Sequence, residues 1–265
     1  MSGNAQGQVV LDTGLIRPVW SSPQNVRSAM TTRAGGVSES PYDAMNLGYA
    51  TQDVRTAVEQ NETIVADRLE VATADIRWVY QVHGTAVHHA ESLPDNVPLG
   101  ATVTTGDALV SHTPGLVCGV KVADCMPVLF AARDGSVVAA AHAGWRGLSS
   151  GVLERTVQEC NVAPGQLAVW LGPCIGPQSF EVSEDVRDAF VANDAASGQH
   201  FLPRAEAGKF LCDLWAIARQ RLAACGVTDI ASSGLCTYSR ADLFFSHRRD
   251  RVTGRMAAFV WIDRT

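Results

Sequence analysis

DCMPVLFAARDGSVVAAAHAGWRG, residues 124–147, sets the frame for the chain. Residues 127–132 and 136–141 are apolar, β-permissive runs, and Arg133-Asp134-Gly135 between them carries the Asp-Gly signal of a two-residue hairpin turn. With Asp134 and Gly135 as the loop, His142 faces Pro127 and Cys125 is its diagonal neighbour, roughly 7 Å away. At that separation both side chains can reach one metal ion or each other. A thiol before the hairpin and an imidazole after it place the expected function at this end of the two strands.

The whole chain bounds what this hairpin can belong to. Its 265 residues can bury a substantial core, and the sequence shows no repeat, low-complexity segment or composition shift marking a boundary, so one domain spanning 1–265 is expected. A formal charge of -6 with dispersed Lys and Arg leaves no electrostatic footprint for nucleic acid or an anionic membrane, and a small-molecule partner is expected instead. The first residues, MSGNAQGQVVLDTG, lack the charged and apolar regions of a signal peptide, and no apolar run approaches the roughly 20 residues of a membrane span. A cytoplasmic location is the expectation. Seven cysteines form no C-x-x-C pair, and six of them, all but Cys125, are expected to be buried small hydrophobes.

Working outward, strands are predicted at 15–20 and 26–31, followed by the glycine loop Arg33-Ala34-Gly35-Gly36, a candidate anion site. Apolar spacing predicts an amphipathic helix over 53–69, with Thr51 or Asp53 as N-cap. A strand over 76–81 delivers Gln81-Val82-His83-Gly84 at its end, a return strand follows at 86–90, and the Pro- and Gly-rich stretch 92–105 reads as a loop. Strands at 107–111 and 116–122 lead into the hairpin. Beyond it come a helix over 149–160, a strand at 167–171, helices at 183–192 and 209–224, the second closed by Gly226, and a last strand at 255–262. About ten strands with four helices and no strict βαβ alternation predict an α/β (mixed α+β) sandwich of mixed sheet flanked by helices.

Three residues compete as metal ligands: His83, Cys125 and His142. Two imidazoles and a thiolate suit Zn²⁺, and three protein ligands leave a fourth position for water or substrate, although the intervals between them fit no short metal motif. The same residues support a second reading, with Cys125 as nucleophile, His142 as general base and Asp124 or Gln81 as orienter. His83 discriminates, because a metal site needs it in the cluster and a Cys-His pair does not. The ordinary alternative is a buried Cys beside two hydrogen-bonded histidines. His89-Ala90-Glu91 fits half of a deaminase signature, but Cys174 has no second Cys three residues on. Gly147-Leu-Ser-Ser-Gly151 fits G-x-S-x-G, yet Ser149 lies past its strand and is expected to cap the next helix. Arg146, directly after the hairpin, and Arg33 in the glycine loop are candidates for phosphate or carboxylate, against the commoner fate of a solvated surface arginine.

TTRAGGVS (31–38), NLG (46–48), QVHG (81–84), GDALV (106–110), ADCMPVLF (123–130), HAGWRG (142–147), GPCIG (172–176) and the tail FFSHRRD with TGR (244–255), in this order, resemble one family. It is the bacterial laccase-domain family, also called multicopper polyphenol oxidase, purine nucleoside phosphorylase or peptidoglycan editing factor. The resemblance spans nearly the whole chain. It implies a single-domain α/β sandwich with one Zn²⁺ held by His83, Cys125 and His142. It also implies phosphorolysis of adenosine, inosine or methylthioadenosine, deamination of adenosine, Cu²⁺-dependent phenol oxidation, or a part in peptidoglycan editing. His247 stands where the family's tail pattern leads one to expect a Tyr.

The residues favour zinc over copper redox chemistry, since a multicopper site uses about ten histidines and a cysteine, and seven scattered histidines with no H-x-H motif cannot supply it. Together with the resemblance, this makes a zinc-dependent enzyme acting on a purine nucleoside and phosphate the expectation, with His83, Cys125, His142 and Arg146 as catalytic residues and Arg33, Asn46, Gln81 and Asp124 contacting or orienting substrate. A Cys-His hydrolase of peptidoglycan precursors, a copper polyphenol oxidase and a metal-stabilised binding module are the alternatives. Nothing in the sequence fixes the oligomeric state; a monomer is one possibility.

Overall fold

The computed structural model describes residues 10–12, 14–94 and 104–264. In chain order, β1 (Val10–Asp12), β2 (Leu15–Arg17) and β3 (Val26–Thr31) precede α1 (Arg55–Leu69), followed by β4 (Ile76–Arg77), β5 (Val87–His89), β6 (Ala108–Ser111) and β7 (Val117–Val122). The hairpin is β8 (Met126–Ala132) and β9 (Val138–Ala143), leading into α2 (Trp145–Ser150) and α3 (Val152–Glu159). Then come β10 (Leu167–Leu171), β11 (Glu181–Ser183), α4 (Glu184–Val191), β12 (Phe201–Pro203), β13 (Lys209–Cys212), α5 (Leu214–Ala224), β14 (Asp229–Ser232), α6 (His247–Asp250) and β15 (Met256–Ile262).

Two six-stranded sheets carry the architecture. One runs β1-β2-β3-β15-β7-β4 and the other β14-β10-β8-β9-β6-β5, with a small sheet β11-β13-β12 beside them. The large sheets face each other: Met30, Val120, Ala258 and Val260 of the first share one apolar cluster with Leu109, Leu129, Ala140 and Trp170 of the second. On its far side the second sheet packs Val128, Phe130 and Ala141 against Leu153, Phe190 and Ile217 from α3, α4 and α5. The first sheet packs Ala29, Ala257 and Phe259 against Val65 and Leu69 of α1. The result is four layers, helix, sheet, sheet, helix. Both faces of β8 and β9 are therefore covered, and every residue in them is buried. That explains why their sequences are continuous apolar runs without alternation.

The predicted register holds, with Pro127 opposite His142, but the turn is wider than two residues. Val137 C=O accepts from Ala132 N–H at 2.9 Å, and Ala132 C=O accepts from Gly135 N–H at 2.9 Å. Gly135 takes the positive φ (72°) that the Asp-Gly signal promised. The loop lengthens by one residue at each end, so the pairing is unchanged.

Other expectations are corrected. The strand predicted over 15–20 stops at Arg17, where Pro18 offers no N–H. The strand predicted over 76–81 is continuous only at Ile76 and Arg77, paired with β7; beyond them Tyr80 makes a single bridge to Thr105. The helix predicted over 209–224 is a strand and a helix divided at Asp213, whose carboxylate caps α5 at Ala216 N–H while Lys209–Cys212 becomes the central strand of the small sheet. The helix over 149–160 is two helices, broken at Gly151 with φ 101°. Ser149 lies inside the first of them and donates back to Arg146 C=O at 2.9 Å, so it is not a cap. Neither Thr51 nor Asp53 caps α1; Val54 is the N-cap residue, and both side chains accept from Asn46 Nδ2 at 2.9 Å. The predicted loop 92–105 is described only at its ends, and its residues 95–103 lie outside the described residues.

Candidate functional site

Strand ends build the site. β8 begins at Met126 just after Cys125, and β9 carries His142 near its end. β6 pairs with β9 so that Ala108 faces Ala141, which puts Asp107 across from His142, and Asp107 C=O accepts from His142 N–H at 2.7 Å. The chain from Tyr80 to Gly84 wraps over this point and brings in His83 with a left-handed backbone (φ 61°).

One buried carboxylate organises these parts. Asp107 Oδ1 accepts from His83 N–H at 2.9 Å and lies 2.8 Å from His142 Nδ1; Oδ2 accepts from the N–H groups of Val82 at 3.2 Å and Gly84 at 2.6 Å. These bonds offset the left-handed His83 conformation, of order 1–3 kcal/mol for a non-glycine residue. With Asp107 as acceptor, His142 carries its proton on Nδ1 and turns Nε2 toward Cys125. Burial opposes the charge on Asp107, but bonds from His142 and the loop N–H groups hold its carboxyl below the usual range. Sequence reading missed this residue; an Asp at the threshold of an apolar strand, in GDALV, was the available signal.

The outcome is a cluster of three donors. The ligand atoms of His83 (exposed), Cys125 (half-buried) and His142 (buried) all lie within 4.8 Å of one another. Cys125 Sγ is 3.7 Å from His83 Nε2, and the two imidazole rings meet edge to face with centroids 4.8 Å apart. A tetrahedral zinc with bonds of about 2.0 Å to nitrogen and about 2.3 Å to sulfur separates its ligand atoms by roughly 3.5 Å, so the donor set fits a single such ion. No second group of three such side chains within reach of one another occurs among the described residues.

Without a metal the same contacts favour an ion pair. Burial resists ionisation of Cys125, but the charge of His142 and hydrogen bonds from His142 and His83 outweigh it and bring the thiol from 9.0 down to about 6. Burial likewise resists charging of His142, and the Cys125 thiolate with the Asp107 bond carries it up to about 9. Cys118, Cys160, Cys174 and Cys212 are buried as expected, and burial pushes their thiols up; Cys225 and Cys236 are half-buried.

Space at the cluster is limited by glycine. A Cβ on Gly144 would lie 2.9 Å from both Cys125 Sγ and His83 Cδ2, and one on Gly147 would lie 2.8 Å from Gly84 C=O. Only glycines at 144 and 147 let the first turn of α2 close against the ligand loop.

The remaining predicted residues divide. Arg146 is exposed, its guanidinium 4.4 Å above the Trp145 ring, and no hydrogen bond or ion pair engages it among the described residues. Arg33 is committed internally, donating to Asp43 C=O, Ala241 C=O and the Asp43 carboxylate and stacking on Phe245. Asn46 is fully buried; Nδ2 donates to Thr51 and Asp53, and Oδ1 accepts from Gly48 and Arg255 N–H. Gln81 mimics a strand, its amide donating to Lys121 C=O and accepting from Lys121 N–H at 2.8 Å each, which anchors the loop just before His83. Asp124 (φ 84°) accepts from Thr237 and Ser246 hydroxyls and Arg248 N–H, and so ties the tail to the residue before Cys125. These four side chains brace the site through bonds inside the protein.

A two-sheet sandwich carrying one Cys-His₂ donor cluster at its strand ends defines a class of candidate single-metal enzyme. The chain belongs to the family described as multi-copper polyphenol oxidoreductase laccase, which matches residues 27–263. Purine nucleoside phosphorylase PA4543 of Pseudomonas aeruginosa is 46% identical over 248 residues, covering 94% of this chain and 98% of that protein. Purine nucleoside phosphorylase YfiH of Escherichia coli is 45% identical with the same coverage. Among solved structures, protein NMB0706 of Neisseria meningitidis is similar with TM-score 0.88 and 41% identity, covering 95% of this chain and 100% of that one.

Proposed function

We propose that the protein is a zinc-dependent purine nucleoside phosphorylase acting on adenosine, inosine or methylthioadenosine, with deamination of adenosine at the same site. The observation that carries the reading is the convergence of His83, Cys125 and His142 donor atoms within 4.8 Å. The names of the relatives, 40–46% identical across most of the chain, support the substrate class.

His83, Cys125 and His142 would hold the ion, which supplies Lewis-acid charge stabilisation beside the substrate. The chain's own groups do the positioning. Asp107 fixes the His142 tautomer and the His83 loop, and Arg146, exposed on the turn after His142, draws an anion to the open side. In phosphorolysis a phosphate oxygen bonds to the ribose C1′ while the bond from C1′ to the purine nitrogen breaks; the base leaves with that electron pair and takes a proton. In deamination water adds at the amino-bearing purine carbon and ammonia leaves.

The test is metal content together with inosine and adenosine turnover, with and without phosphate, for wild type and His83→Ala. Loss of the ion together with about 100-fold or more of the turnover is expected. An unchanged rate in the metal-free variant would overturn the zinc role. A Cys-His hydrolase is the second reading, favoured by the Cys125–His142 ion pair. It requires His83→Ala to retain most activity and thiol alkylation to abolish it in the metal-free protein.

A further inference from the structure

Arg255 stands directly before β15, and the pairing of Met256 with Val122 carries it across from Ala123, beside Asp124 and Cys125. It is firmly placed. Its main-chain N–H donates to Asn46 Oδ1 at 2.8 Å, its C=O accepts from Leu47 N–H at 3.0 Å, and a Cβ on Gly48 would fall 2.7 Å from its Cγ. Nη1 donates to the C=O groups of Thr253 and Gly254 at 2.8 and 2.9 Å. That fixes the guanidinium from one edge.

The other edge, Nε with Nη2, has no hydrogen-bond partner among the described residues, yet neither atom is sealed from solvent. Nor does a carboxylate of the described residues pair with it. The comparably shielded Arg33, Arg221 and Arg249 each hold one, on Asp43, Glu154 and Asp250. A largely buried guanidinium without a contacting counter-ion is costly and calls for an anion from elsewhere. Burial lowers its pKa, and the charges acting against that are Cys125, Asp124 and Tyr42. Asp124 spends its oxygens on Thr237, Ser246 and Arg248 N–H.

We propose that Arg255 receives the inorganic phosphate that the phosphorolysis proposed above consumes, a role that rests on that reading. Nε and Nη2 point the same way in the guanidinium plane and match two oxygens of a tetrahedral oxyanion. Because Arg255 stands across from Ala123, two residues before Cys125, the proposed anion sits on the donor-cluster side of this strand end. Arg146 then steers phosphate from the surface, and Arg255 seats it.

The experiment is steady-state phosphorolysis of inosine by the metal-loaded protein, varying phosphate and inosine separately, for wild type, Arg255→Gln and Arg255→Lys. The expected result is a phosphate KM raised about 30-fold or more in R255Q and less in R255K, with inosine KM and metal content near wild type. A phosphate KM within about 2-fold of wild type in R255Q, or an equal rise in both KM values, overturns the proposal. Should R255Q fail to fold, R255K carries the same readout. Absence of phosphate-dependent turnover in the metal-loaded wild type refutes the parent reading instead. Calorimetry with inorganic phosphate then decides the anion site: binding by wild type that R255K weakens supports it, and equal binding, or none by wild type, overturns it.

Discussion

Replacing Asp107 by Asn tests whether one carboxylate holds the ligand set together. The carboxylate accepts four bonds, from His83 N–H and His142 Nδ1 on one oxygen and from Val82 and Gly84 N–H on the other. An Asn keeps one accepting oxygen and turns an NH₂ toward the other two donors, whichever way the amide faces. Two hydrogen bonds to a buried charged group are lost, at about 1.5–3 kcal/mol each, so about 3–6 kcal/mol of stability should go. Loss of the His142 and loop support should also weaken metal affinity about 10- to 100-fold. Urea unfolding in the presence of chelator reads the first, and competition with a chromophoric chelator reads the second. The sign of the pH dependence is a further check. Because the folded carboxyl lies below its unfolded value, its contribution is full above about pH 4 and is lost as pH falls through the folded pKa. Wild type and D107N should therefore converge in acid. Stability within about 0.5 kcal/mol of wild type at pH 7, with metal affinity within about 3-fold, would refute the role given to Asp107.

Gly144→Ala should act on the metal rather than the fold, because φ -69° and ψ 160° suit alanine while the new Cβ meets Cys125 and His83 at 2.9 Å. A tenfold or larger loss of metal affinity with unfolding stability changed by less than about 1 kcal/mol is expected from chelator competition and urea melts. In the metal-free protein, iodoacetamide should alkylate Cys125 with a rate that rises with pH and is half-maximal at about 6, because the thiolate is the reacting form. A midpoint above 8 by mass-spectrometric rate measurement contradicts the ion pair with His142, and saturating zinc should block the reaction.

Where local chemistry decides structure, the sequence was a sound guide. The register of β8 on β9 follows from the apolar runs and an even loop, so pairing Pro127 with His142 was predictable even though the turn proved longer. Errors came where tertiary pairing overrides local preference. Lys209–Cys212 has helix-compatible residues but is recruited as a strand between β11 and β12. Trp78 covers Gly119, where a Cβ would lie 2.6 Å from its ring, and beyond Arg77 a Gln81 amide replaces the strand ladder. No local period announces either.

The site divides the same way. His83, Cys125 and His142 could be named because metal-ligating side chains are few and each fell at the end of a predicted strand. Their convergence was decided by the fold: β6 sets Asp107 beside His142, Asp107 draws in the loop holding His83, and Gly144 leaves the gap. The fates of the arginines were equally invisible, since partners far along the chain decide whether a guanidinium is spent. Arg33 is used up by Asp43 and Ala241, whereas Arg255 keeps one edge open because β15 begins opposite the Cys125 loop and no carboxylate among the described residues pairs with it there. Sequence by itself determined which atoms could do chemistry and how the central strands pair; only the tertiary structure decided which of those atoms meet, because meeting depends on contacts between residues distant in the chain.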